Sequence, residues 1–501
     1  MNRNSKTSRD CIVIGGGIGG LAAAIRLASE GKKVTIIEKN AHLGGKCDYL
    51  VRDGFHFDLG PSVLTLPFLL DELFAAAGRL REDYLAIEPV EPGCSYFFAD
   101  GTRFDAPGTM DDFQKAIAEA FPSEIDGFRK FREHLQRLWE VSGPAYLFNP
   151  LGIKTLQSIP LRKAIRALPD LIPAKMENRL QKFFKDPRLI QLFSRFATYN
   201  GSDPKRTPAT FNVVAHAELA FGSWRCAGGM YALIRALTKL AKELGVEVMT
   251  NTEVDRIDFR PDGSLDGVLT REGSKIKSPF VVCNQDAATA WSGSLLSQSR
   301  FSPRKSHRAA KIESSSSGFV FLAALNRKHE ELACHNVFFS SDYDREFRDL
   351  FGPGQPLQNP TIYVSRPSCK DPSLAPEGKE GWFVLINAPS LQAFEHWDER
   401  EYAKAVTSQL VERCGLAEEE IEWIHFHGPR FYHEQYSAWN GSLYGPSSNT
   451  MRQGFLRFPN SSRRIDGLAF CGGSAHPGGG IPLVLLSGKF AATACSSYLE
   501  G

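Results

Sequence analysis

DCIVIGGGIGGLAAAIRLASEGKKVTIIEKNAHLGGK, residues 10–46, sets the frame for the whole chain. Cys11, Ile12, Val13 and Ile14 form a short apolar run suited to a parallel strand covered on both faces. Gly15 to Gly20 follow at once and satisfy G-x-G-x-x-G through Gly15, Gly17 and Gly20, with Ile18 and Gly19 opening a helix. That helix repeats Leu21, Ala24, Ile25 and Ala28 at i, i+3, i+4 and i+7, and Gly31 is placed to end it. Lys32 and Lys33 lead into a second strand, Val34 to Ile37, closed by Glu38 eighteen residues beyond Gly20. An acid at that strand end accepts hydrogen bonds from ribose hydroxyls and repels a 2′-phosphate, while a helix N-terminus favours a pyrophosphate. The unit therefore reads as a dinucleotide cradle.

Which dinucleotide is decided by Gly44, Gly45 and Lys46. A second glycine pair so soon after Glu38 and Lys39 resembles the extended FAD fingerprint of the glutathione-reductase-like flavoproteins, and an NAD-only fold has no need of it. FAD is the expected cofactor. The expected fold is α/β, a Rossmann-type FAD-binding domain with an inserted α+β substrate domain.

At 501 residues the chain is long enough for two intertwined domains. A formal net charge of +2 gives no global attraction to nucleic acid, and 42% hydrophobic with 23% charged residues is ordinary for a globular protein. The ten cysteines show no metal spacing and read as buried thiols of a reducing compartment. His425, His427 and His433 lack a matching acid set, so no metal site is expected. Met1 to Arg9 is polar and basic, the apolar run after it is the Rossmann strand and not a signal core, and no uninterrupted apolar stretch suits a transmembrane helix.

Further segments carry a family resemblance. Gly54-Phe55-His56-Phe57-Asp58-Leu59-Gly60-Pro61 alternates aromatics into a turn. Trp224 to Leu233 contains W-x-x-x-G-G-x-x-x-L, and Gly472 to Pro482 reads GGSAHPGGGIP before a helix rich in small residues. With the opening fingerprint, these resemble the bacterial-type phytoene desaturases of carotenoid biosynthesis, in the same order along nearly the whole chain. His335 to Tyr343, Thr361 to Ser365 and Trp382 to Asn387 resemble the branch acting on later, more polar or partly desaturated carotenoids.

The resemblance implies that Gly60, Pro61, Gly473, Gly480 and Ile481 approach the flavin and that Val254 meets adenine through its backbone. Lys46 stands where relatives commonly carry arginine; it meets a phosphate as a point charge without the bidentate fork. The implied reaction inserts a C=C bond into an isoprenoid polyene such as phytoene, diapophytoene or a hydroxylated or partly desaturated intermediate, by hydride transfer to flavin. Such chemistry needs no Ser-His-Asp or paired-carboxylate machinery. His476 is the first candidate for taking the proton, with Asp58 and Glu218 behind it; a structural reading has Asp58 cap the helix around Pro67 to Ala77. The same scaffold resembles oxidases of carotenoid terminal methyls, flavin amine and protoporphyrinogen oxidases, and isoprenoid-lipid carriers like GDP-dissociation inhibitors.

The expected division is 1–78, 225–290 and 463–501 for the FAD-binding domain and 79–224 and 291–462 for the substrate domain. Between Leu151 and Arg206, twelve lysines and arginines face four acids, a local excess of eight among leucines, isoleucines, Phe183 and Phe184. Such interleaving suits an anionic membrane surface, with apolar groups inserted and cations snorkelling. The expected location is cytoplasmic, peripheral to the inner face of the cell membrane, with a hydrophobic carotenoid as substrate.

Overall fold

The strand β1 (Cys11–Ile14) is buried at every position, because it lies at the centre of a five-stranded parallel sheet. Its neighbours are β2 (Val34–Ile37) and the strand Val281–Cys283, with Glu247–Met249 and Leu468–Phe470 at the edges. A computed structural model describes residues 10–151, 162, 165, 174–293, 295–297, 307, 309–352, 354–396 and 398–501.

The helix α1 (Ile18–Ser29) leaves β1 through the glycine turn. It ends where Gly31, at φ +79°, donates its N–H to Ala28 O while Lys32 donates to Leu27 O, a Schellman close. The sequence stripe predicts one buried face, yet α1 is buried on nearly every side. The reason is that Tyr231–Glu243 and the C-terminal helix Ile481–Glu500 both pack on it. Gly488 permits the second contact: a Cβ there would lie 2.5 Å from the Gly19 carbonyl oxygen.

A second, seven-stranded sheet runs in the order Ile421–His427, Ser317–Leu325, Glu380–Ala388, Ile362–Ser365, His335–Phe338, Cys94–Phe97, Arg103–Ala106. All its pairings are antiparallel except that of His335–Phe338 with Cys94–Phe97. One face, with Phe319, Phe321, Val384 and Ile386, packs under the helix Glu399–Cys414, where each fully buried Phe or Leu contributes about 1.5–3 kcal/mol. Across the other face run Val320, Leu385, Tyr363, Val337 and Tyr96, in direct cross-strand register. That row is set by the period-2 alternation of strands, and its Val320, Leu385, Tyr363 and Val337 line a cavity facing the five-stranded sheet.

Of the basic stretch expected at a membrane surface, residues 152–161, 163, 164 and 166–173 lie outside the described residues. Phe184 is 1% exposed inside the core beside Leu189 and Phe193, so it has no surface to offer a bilayer. Arg188 pairs with Asp186 and Asp100, Lys205 with Asp344 and Arg206 with Glu313, so these cations are spent within the protein. Ile165 stands exposed. Among the described residues no helix is long and apolar enough to cross a membrane. All ten cysteines are free thiols; nine are buried, and Cys369 is exposed, contrary to the uniform burial expected from sequence.

Candidate functional site

Between the two sheets lies a cavity of about 490 Å³ that reaches from Glu38 to the register row of the second sheet. At one end Glu38 is 5% exposed, and its two carboxylate oxygens accept the Gly16 N–H at 2.7 Å and the Asn40 N–H at 2.9 Å. Each oxygen keeps a lone pair for a further donor such as a ribose hydroxyl. Thr252 donates its N–H to Glu38 O at 2.9 Å, which ties the exit of Glu247–Met249 to that of β2 and brings Val254 into the lining.

Two helix N-termini without a side-chain cap meet the cavity. Gly17 precedes α1 and Gly480, at φ +103°, precedes Ile481–Glu500; neither has a side-chain cap, and Gly17, Ile18, Gly19, Gly480 and Ile481 all line the space. The N-terminus of Tyr231–Glu243 makes the contrast. There Asp58 accepts the N–H groups of Met230 and Tyr231 at 2.7 and 2.9 Å. Uncapped N–H groups with a positive dipole end fit an anion or a polarised carbonyl, so the residues present suit a flavin dinucleotide.

Gly15, Lys39, Gly45, Lys46, Gly60, Pro61 and Gly473 also line the cavity. Gly20 does not; it sits against the strand, where a Cβ would lie 2.2 Å from Gly15 O. Lys46 Nζ donates to the carbonyls of Ser442 and Leu443 at 3.0 and 2.7 Å, and burial pulls its pKa down to about 8 against the opposing pull of Asp286. Lys39 Nζ donates to Glu434 O and Ser437 Oγ, and burial likewise lowers it.

The three acid–base candidates separate. Asp58 is a cap, of Tyr231–Glu243 and not of Phe68–Ala76 as its sequence position suggests, because the hairpin Tyr49–Arg52 with Phe55–Asp58 points it at the former. His476 is fully buried outside the lining: Nε2–H donates to Asn149 O at 2.8 Å, the ring stacks on Phe490, and burial pushes its pKa down to about 4. Glu218 alone of the three lines the cavity. It accepts the Tyr199 hydroxyl at 2.5 Å and lies 4.0 Å from Arg195 Nη2.

Sequence reasoning did not single out Arg195, Tyr199, His335, Tyr343, Tyr363, Phe383 or Leu385, all of which line the substrate side. The segments around His335, Tyr363 and Phe383 were marked by resemblance. Only the strand order makes one wall of them.

The sequence pattern described as flavin containing amine oxidoreductase matches residues 18–496. The chain belongs to that family. It is thus a flavin-dependent oxidoreductase with FAD as its cofactor. Within this family setting, the chain is 35% identical over 488 residues to a protein of Flavobacterium sp. (strain P99-3) named 1-hydroxycarotenoid 3,4-desaturase, covering 97% of this chain and 98% of that one. It is 34% identical over 494 residues to a Methylomonas sp. protein named 4,4'-diapolycopene oxygenase, with the same coverage of 97% and 98%. In fold it is similar to cyclohexylamine oxidase from Brevibacterium oxydans, with a TM-score of 0.63 at 16% identity over 99% of this chain and 100% of that one.

Proposed function

We propose that the protein is an FAD-dependent carotenoid desaturase, and that the observation carrying this reading is the continuity of the dinucleotide cradle with a wall of Val320, Leu385, Val337 and Phe383. When bound, the isoalloxazine supplies a two-electron sink, so that a hydride leaves an allylic carbon and a proton leaves its neighbour. The chain's own part is to hold the polyene along that apolar wall and to keep water away from it. Asp58 and His476 serve structure in this reading, as a helix cap and as packing behind the C-terminal helix, and Glu218 remains beside the substrate.

The likeness at 35% and 34% identity to a desaturase and to an oxygenase of carotenoids supports the substrate class, an acyclic isoprenoid polyene. The second of these favours one other reading, oxidation of a terminal methyl carbon on the same scaffold. We further propose a peripheral association with the inner face of the cell membrane, since a lipid-soluble substrate must be drawn from a bilayer; exposed Phe68, Met451 and Leu456 join Ile165 as apolar surface for it.

The test is incubation of the FAD-loaded protein with liposomes carrying a panel of polyenes, followed by chromatography of the pigments. Products two hydrogens lighter support desaturation, and an oxygenated terminal carbon supports methyl oxidation. Turnover of an amine with every polyene left untouched overturns both.

A further inference from the structure

The substrate side of the cavity is not uniformly apolar. Arg195 is 9% exposed with its guanidinium 5.3 Å from the Tyr96 ring centre and 5.2 Å from that of Tyr199, and Nη2 donates to the Tyr96 and Tyr199 hydroxyls at 2.9 and 3.3 Å. Tyr199 in turn donates to Glu218, so a cation, a phenol and a carboxylate share one wall. Beside them His335, 3% exposed, shares a hydrogen bond of 2.8 Å between Nδ1 and the Tyr363 hydroxyl, which is linked to Ser62 Oγ at 2.6 Å.

Three polar atoms of this wall are left over, Arg195 Nε among them. His335 Nε2 and the Tyr343 hydroxyl are buried and have no hydrogen-bond partner in the protein, and both residues line the cavity. A wall meant only for hydrocarbon gains nothing from a buried ion pair, whose desolvation is costly. Nor does a hydrocarbon satisfy an orphan imidazole nitrogen or phenol. An alcohol does, because one oxygen both donates and accepts.

We infer that the Arg195, Tyr199, Glu218, His335 and Tyr343 wall is a subsite for a hydroxyl group on the polyene. The inference rests on the desaturase reading and narrows it to hydroxylated substrates. Sites built around a substrate hydroxyl reject the analogue that lacks it, since their own polar groups are then stranded.

The experiment uses the FAD-loaded protein and three probes in one detergent: an acyclic polyene hydrocarbon, its alcohol, and the methyl ether of that alcohol. Binding is read from the shift of the polyene visible band, and turnover from anaerobic bleaching of the flavin. The alcohol is expected to bind roughly 10- to 100-fold more tightly than the hydrocarbon, with the ether losing most of that gain. In Tyr343→Phe the alcohol-to-hydrocarbon ratio is expected to fall about tenfold. Glu218→Gln, which preserves shape while removing the charge, should lower it as well, with flavin content reporting that each variant is folded. Equal dissociation constants for the three probes in the unmodified protein overturn the inference, because the wall then holds only water; so does a ratio that neither variant moves. If no probe bleaches the flavin, the desaturase reading falls, while the binding ratio still decides whether a hydroxyl subsite exists.

Discussion

At the dinucleotide end of the cavity Gly15, Gly17, Gly19, Gly45, Gly473 and Gly480 bring bare backbone to the space, beside the side chains of Glu38 and Lys46. At the substrate end the lining is side chains, carried by strands drawn from residues 94–97, 317–325, 335–338, 362–365 and 380–388. Backbone contacts recognise what all flavin dinucleotides share, and only a missing side chain makes them possible. Side-chain contacts are replaceable one at a time, so the second end is where a substrate preference resides.

If the two ends divide the work in this way, substitutions should separate cofactor from substrate. The largest effect belongs to Gly20→Val: the new Cβ meets Gly15 O at 2.2 Å, the turn must move, and flavin is lost altogether. Gel filtration that returns a yellow protein would break the comparison at its stronger end. Next comes Val337→Phe, which thickens the register row beside Tyr363; polyene turnover should fall by about 100-fold while flavin absorbance per chain stays at its normal value. Flavin loss in step with turnover would mean that the ends are not separate.

Tyr363→Phe removes the hydroxyl that links His335 to Ser62, and about a tenfold loss of kcat/KM on polyenes is expected with the flavin spectrum retained. The smallest effect is a shared one. Burial pushes His335 and His476 down to about 4 and His427 to about 3, against about 6.5 in the unfolded chain. Below pH 6.5 the unfolded chain takes up protons that the folded one refuses, so this stability is complete above that pH and is lost as the pH falls through 4. Thermal unfolding should therefore show a lower Tm at pH 4.5 than at pH 7, and a flat profile would show that these imidazoles are not held neutral.

The same contrast explains what was legible in the sequence. Gly15 to Gly20, Glu38 and Val34 to Ile37 are local, and their spacing alone fixes strand, turn and helix. The closure at Gly473 to Ile481 stands out by its resemblance to the family's C-terminal glycine run. The segments of His335 and Tyr363 stand out by resemblance, but their meeting with each other and with Arg195 depends on the pairing of His335–Phe338 with Ile362–Ser365 and with Cys94–Phe97, a register that no local pattern encodes. Asp58 misled for a related reason: its turn and acid type announce a cap, but the helix it caps begins 173 residues later. His476 stands among the glycines of the closure, and only the packing of Phe490 and Asn149 around it turns the ring away from the cavity.

The contact of Gly488 with the Gly19 carbonyl has a bearing on how the protein comes into being. Until residues 468–500 have been synthesised, the parallel sheet lacks an edge strand and α1 lacks a neighbour on its exposed flank. The cradle begun by residues 10–46 is thus completed by residues 472–488, and uptake of the yellow cofactor is expected only once that later segment has folded onto α1.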